Sequence, residues 1–372
     1  SACASAAAAA GQAMHPHLPS LLPRLERCLV ATDDKHLRPR ARALEVLGML
    51  VSARGGKDAM APHIPAAMAA ADSGFELDYG ELREYGHGMY AEVAEALCES
   101  FAPYLPACLD KALASLRLDD GVLYDSDEEE HERAARGGEG SDVDDEDDLS
   151  DSDGDGRGNN NYSIFSGVVE EKAAACKAIA SYAHHCPDAF KGHIGQFLDP
   201  MGGMADYMHE MVRSQAHHAL ARMAQCALKA APPPSTEAFP VVDACLNATQ
   251  RAAMEDDDRD AVGAAMESAA EVVKSVAAAA GGGIKHIADA GHLKGLSDHC
   301  LAILEGRAPC QEGDDTEQWH DDGVNGQGGP GEEEGEEDEE AELGQIVLEG
   351  VAELLPALAA VGGAEFAPHF QP

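Results

Sequence analysis

Asp151-Ser-Asp153-Gly-Asp155-Gly156 has the opening of a calcium-binding loop, with acids at positions one, three and five and Gly at six. The pattern then stops. Position eight is Gly158 rather than an apolar residue, and position twelve is Tyr162 rather than Glu. His184-His185-Cys186, His217-His218 and His299-Cys300 put metal-binding side chains next to one another. Adjacent residues on a helix point in different directions, and no Cys or His pair has the spacing of a zinc site. No G-x-S-x-G, P-loop or G-x-G-x-x-G after a strand occurs. Gly281-Gly-Gly283 with Lys285 alone is a poor phosphate cradle and reads as a hinge. These residues point to no catalytic centre, metal or cofactor, and no enzymatic activity is expected.

Charge carries more information. The 372 residues hold 26 Lys plus Arg and 68 Asp plus Glu, a formal net charge of −42. A protein that binds phosphate backbones needs a basic stripe, and an anionic bilayer would repel this chain. No uninterrupted apolar run of membrane-spanning length is present, and no basic stretch followed by an apolar one opens the chain. Nucleic acid and membrane are therefore not expected partners. Residues 119–157 contain 18 acids against three Arg, and residues 310–342 contain 15 acids and no Lys or Arg. Both runs are Gly-rich and lack periodic apolar residues, so both are expected to be disordered insertions. Ser126, Ser141, Ser150 and Ser152 are each followed by acids. They are candidates for an acidophilic kinase, each phosphate adding about 1.5 to 2 negative charges.

The rest reads as helices. Apolar residues make up 45% of the chain but aromatics only 5%, and Ala is abundant. Ala favours helices, whereas a sheet would want Val, Ile, Tyr and Thr. The ten cysteines are scattered singly and read as free, small apolar residues of a reduced compartment.

Short proline-containing starts recur: His15-Pro-His-Leu-Pro19, Met60-Ala-Pro-His-Ile-Pro65, Phe101-Ala-Pro-Tyr-Leu-Pro106 and Phe366-Ala-Pro-His-Phe370. Weaker relatives begin at Phe190 and Phe239. With the acidic runs set aside, the interval is roughly 40 to 50 residues, the period of two-helix HEAT repeats. The fold class expected is all-α, an α-solenoid of about six antiparallel helix pairs forming one array over 1–372. First helices are placed near 16–30, 61–71, 103–117, 191–208, 237–253 and 284–305. Second helices are placed near 37–54, 80–100, 168–186, 210–229, 258–279 and 343–361. Apolar stripes mark the second helices, with Leu44, Leu47, Leu50 and Val51 in the first pair and Val262, Met266, Val273 and Val276 in the fifth. In the sixth the stripe is Ile346, Val347, Val351, Leu354, Leu355 and Leu358. Each pair buries its stripe only against its neighbours. Residues 1–13 read as the tail of a second helix and 366–372 as the start of a first, so a stretch of a longer array is expected.

Acids remain on the second helices: Glu84, Glu92, Glu95 and Glu99 in pair two, and Glu170 and Glu171 in pair three. Asp260, Glu267 and Glu271 follow in pair five, and Glu349 and Glu353 in pair six. If second helices line the inner face of a curved solenoid, these eleven are candidate contacts for a basic partner.

Three segments resemble the importin-beta (karyopherin-beta) nuclear transport receptors. Glu99-Ser-Phe-Ala-Pro-Tyr-Leu105 is similar to a repeat start ahead of an acidic insertion. Tyr162-Ser-Ile-Phe165 followed by Val169-Glu-Glu-Lys172-Ala-Ala-Ala-Cys176 resembles the return from it. Leu358-Ala-Ala-Val-Gly-Gly-Ala-Glu-Phe-Ala-Pro368 after a Glu run is the third. The resemblance implies a monomeric receptor shuttling between cytoplasm and nucleus. It implies binding of basic nuclear-localisation segments of histone or ribosomal-protein cargo, release by the GTPase Ran in its GTP form, and contact with Phe-Gly nucleoporins. Two alternatives stay open: a HEAT scaffold without Ran, and a histone chaperone acting through its acidic runs.

Overall fold

Proline enters several first helices at their first turn, where its fixed φ fits and its missing N–H is not needed. Pro19, Pro65, Pro106 and Pro240 all stand there. In a computed structural model of the protein, residues 5–6, 9–119, 156–279, 283–311 and 333–370 are described. The first helices are α1 (Leu18–Leu29), α3 (Ile64–Gly74), α5 (Leu105–Leu116), α7 (Ile194–Ala205), α9 (Phe239–Glu255) and α11 (His292–Leu304). The second helices are α2 (Asp34–Ser52), α4 (Gly80–Leu97), α6 (Gly156–His185), α8 (Glu210–Ala230), α10 (Arg259–Ala278) and α12 (Glu333–Gly362). No strand occurs among the described residues.

The second helices pack in order, α2 on α4, α4 on α6, α6 on α8, α8 on α10 and α10 on α12. Each first helix leans on its own partner, and first helices touch one another much less. One continuous apolar cluster runs from Leu18 to Val361. It contains Leu44, Leu47, Leu50 and Val51 of α2, and Val262, Met266, Val273 and Val276 of α10. Small residues permit this close stacking. A Cβ on Gly350 of α12 would lie 2.8 Å from Met266 Cβ and 3.1 Å from Gly263 O of α10. One on Gly48 of α2 would lie 3.2 Å from Met89 Cα of α4.

The helix starts differ from expectation in three places. The first helix expected over 284–305 is divided at Gly291, whose φ of +80° separates Gly283–Asp289 from α11. The helix α6 begins at Gly156 rather than near 168, and α12 begins at Glu333, inside the run expected to be disordered. Glu is a good helix former, and acids suit a helix N-terminus. At α12, a helix anchored by its apolar stripe can therefore extend back into an acidic stretch that has no stripe of its own; the stretch that α6 extends into, 156–167, holds no acid. The remainder of 119–157 and 310–342 lies almost wholly outside the described residues, with Ser126, Ser141, Ser150, Ser152 and Asp151–Asp155.

One segment, Gln345–Gly362, is long and apolar enough to cross a membrane by composition, with a mean hydropathy of 1.5. Val347, Val351, Leu354 and Leu358 of this segment are buried in the shared core, while Glu349 and Glu353 are exposed on its other side. It is a core helix of the stack. Cys108, Cys176, Cys186, Cys226, Cys245, Cys300 and Cys310 are buried and unpaired, Cys28 is half-buried, and only Cys98 of the described cysteines is exposed. Burial pushes the Cys176 and Cys245 thiols up to about 12.

Candidate functional site

Three second helices turn their polar faces into one groove. On α4, Glu81, Glu84, Gly88 and Glu92 follow each other at spacings of three and four, so they share a face. Arg42, Glu45 and Met49 do the same on α2, and Glu170, Ala173, Ala174 and Lys177 on α6. These side chains, with Tyr85, Met89 and Met211, line two adjoining pockets that share Glu84, Tyr85 and Glu170. Gly88, Ala173 and Ala174 keep the floor low, which leaves the groove open between the longer residues.

The groove is short of positive charge. Glu84 is half-buried, and its carboxyl is raised to about 7. Burial is the main cause, followed by repulsion from Glu170 and Glu81, then from Glu45. The opposing cation is Arg42, whose guanidinium carbon stands 4.5 Å from the centre of the Tyr85 ring. Glu84, Glu92 and Glu170 enter none of the ion pairs found among the described residues. Burial holds the Tyr85 phenol up at about 12, so it stays neutral and presents an apolar ring with a polar rim.

Beneath this surface lies an attractive pair. Arg83 Nε donates to Glu171 Oε2 at 2.7 Å, and Ser115 Oγ donates to Glu171 Oε1 at 2.6 Å. Lys172, also buried, donates to the carbonyls of Leu116 (3.1 Å) and Leu118 (2.8 Å), fastening the end of α5 to α6.

The sequence candidates separate accordingly. The structure brings Glu84, Glu92 and Glu170 together in the groove. Glu171 is corrected: at 1% exposure it belongs to the core and cannot meet a bound chain. A period argument cannot distinguish it from its neighbour, because both flank the start of the same stripe. Glu95 is exposed on the same layer. Glu99 accepts from the Asp188 backbone N–H at 2.9 Å and caps the next turn. Asp260 stands in the first turn of α10, where its charge complements the helix dipole. Glu267 is exposed on α10, and Glu271 is paired with Arg222 at 3.0 Å. On α12, Glu349 accepts from Gln345 at 2.7 Å and Glu353 is paired with Lys274.

The charged and aromatic groove residues that were not candidates include Arg42, Glu45, Glu81, Tyr85 and Lys177. Arg42 and Glu45 were legible only as off-stripe polar residues. Their neighbours lie on another helix, and the inter-helix register is not written in either helix alone. Arg40, on the same helix, is buried and donates to the carbonyls of Ala31 (2.8 Å) and Ala70 (3.0 Å). The His184 and His185 rings meet edge to face at 4.7 Å. His217 is buried and driven down to about 3 by burial, while His218 faces Ser268 at 3.4 Å. No group of three possible metal ligands forms among the described residues.

No family model matches the chain. In alignments of 388 and 385 residues that cover the whole chain, it is 29% identical to importin-4 of Homo sapiens and 27% identical to importin-4 of Mus musculus. It spans 33% of the length of each. A part of it, 32% of the chain, is 31% identical to a probable importin subunit beta-4 of Schizosaccharomyces pombe, over 11% of that protein. Among solved structures, Kap121p superposes with a TM-score of 0.62 at 15% identity, over 98% of this chain and 31% of that one. Kap121p bound to the SUMO protease Ulp1p gives 0.63 at 16% identity, over 99% and 30%. The fold is therefore that of the karyopherin HEAT-repeat solenoids. The chain is thus similar over its whole length to importin-4 and shares the fold of the karyopherin solenoids.

Proposed function

We propose that this chain is part of an importin-beta-family nuclear transport receptor, and that its second-helix layer binds basic segments of cargo at the Glu45–Glu84–Glu170 groove. The observation that carries the reading is the carboxylate excess at Glu84. Glu84, Glu92 and Glu170 enter no ion pair among the described residues, and acids outnumber the cations Arg42 and Lys177 around them, so an entering Lys or Arg finds a carboxylate to pair with. Its aliphatic stem would lie along Tyr85, Met49 and Met211, as long basic side chains do on apolar surface. On this reading the second helices line the inner face of a curved stack, and the groove faces the bound segment.

Kap121p has been solved bound to Pho4p and to Ste12p, so proteins of this fold hold segments of other proteins. On this reading the cargo is of histone or ribosomal-protein type, Ran-GTP releases it, and the receptor shuttles between cytoplasm and nucleus. The apolar cleft between α1 and α3, lined by Leu22, Leu25, Leu29 and Ala67, is the kind of surface that takes a nucleoporin Phe. The test is binding of a labelled localisation-signal peptide at increasing salt. Affinity that falls steeply between low and physiological salt supports the reading. Affinity equal to that of a neutral peptide would end it.

A further inference from the structure

Arg42 stands where a guest cation would stand. Its guanidinium lies over the Tyr85 ring, with Nη1 3.6 Å from Glu45 and Nη2 3.3 Å from Glu81. We infer that Arg42 is an internal competitor for the groove, holding the cation position between Glu45, Glu81 and Tyr85 until a partner's basic side chain displaces it. The inference rests on the groove reading above and names a control built into it.

The way Arg42 is held carries the argument. Charge-assisted hydrogen bonds run at about 2.7 to 2.9 Å, and both contacts of Arg42 are longer. Structural arginines of this chain look different. Arg83 reaches Glu171 at 2.7 Å, and Arg213 grips both oxygens of Asp256 at 2.7 and 2.8 Å. Their side chains are 18% and 13% exposed, against 38% for Arg42. Arg42 is thus retained by charge and by the face of a ring, not by a fixed fork. A swing into solvent breaks no short hydrogen bond. Arg38 lacks the ring contact, is 73% exposed and lies 3.7 Å from Glu81, so it adds charge nearby without filling the position.

The carboxylates are the ones that a guest would use. Arg42 offsets Glu45 and Glu81 directly, and it opposes the carboxylates acting on Glu84. A Lys or Arg that replaces it finds the same ring and the same acids. Affinity for a basic peptide is therefore the difference between guest and Arg42 in one place. A neutral residue at position 42 removes the incumbent.

The probe is a labelled peptide with two lysines separated by apolar residues, with a second peptide carrying Ala for both lysines as control. It is titrated against the full chain, Arg42→Gln, Arg42→Lys and Arg38→Gln. Losing a ring contact and a loose ion pair corresponds to binding about three- to tenfold tighter in Arg42→Gln. Arg42→Lys should stay close to the native chain, and Arg38→Gln, with the same charge change, should gain less than Arg42→Gln. If Arg42→Gln binds equally or more weakly, or gains no more than Arg38→Gln, the competitor role is wrong and the groove reading survives. If neither the native chain nor any variant prefers the lysine peptide to its control, both fall.

Discussion

Arg83 and Glu171 are joined at 2.7 Å across α4 and α6, and the residues beside them in sequence, Glu84 and Glu170, face each other as like charges in the groove above. The buried attraction holds the exposed repulsion in place. Without it, two carboxylates on neighbouring helices would separate by side-chain or backbone movement.

The first prediction concerns this pair. Glu171→Gln should destabilise the chain by about 3 to 5 kcal/mol, because it leaves Arg83 without its buried partner. The double replacement Arg83→Met/Glu171→Met should recover part of that loss. Denaturant titrations of the three variants read both effects. A Glu171→Gln loss below about 1 kcal/mol would remove the pair from its structural role.

The second follows from Glu84. Its folded-state carboxyl is raised to about 7, above its ordinary value of 4.5, so the folded chain holds this proton more tightly than the unfolded one. That contribution favours folding at low pH and is lost as pH rises from about 4.5 to about 7. Glu84→Gln should raise stability at pH 8 by about 1 to 2 kcal/mol, a figure reduced for solvent screening. It should change little at pH 5. Thermal melts at the two values check the sign. Equal effects at both would mean that Glu84 is not short of charge.

The third separates groove from insertions. Deleting residues 120–155 should weaken binding of a basic peptide by lowering long-range attraction, while leaving specific binding measurable. Loss of all binding in that deletion would favour a chaperone acting through its acidic runs.

How far the sequence reaches is visible in particular residues. Pro19, Pro65, Pro106 and Pro240, with the stripes of α2 and α10, are local signals, and they place those first helices and the helices α2 and α10 within a few residues. Glu84, Glu92 and Glu170 were found because a polar face is also local. Glu171 was misplaced, and Glu45 and Arg42 went unrecognised, for one reason. Which acids meet depends on the axial offset between α2, α4 and α6. That offset is set by contacts such as Gly48 against Met89, which involve residues on two helices. The early start of α12 escaped because disorder was inferred from a missing stripe, and a helix anchored further along does not need one; that of α6 escaped because its apolar pattern starts only near 168.

The most direct measurement compares two charge reversals of equal size. Glu84→Lys/Glu170→Lys changes the groove, and Glu26→Lys/Asp110→Lys changes exposed acids on first helices by the same amount. With a labelled localisation-signal peptide at physiological salt, the groove variant should lose at least about tenfold in affinity, equivalent to about 1.4 kcal/mol. The first-helix variant should stay within about threefold of the native chain. Equal losses in the two would show that net charge, and not the groove, captures the basic segment.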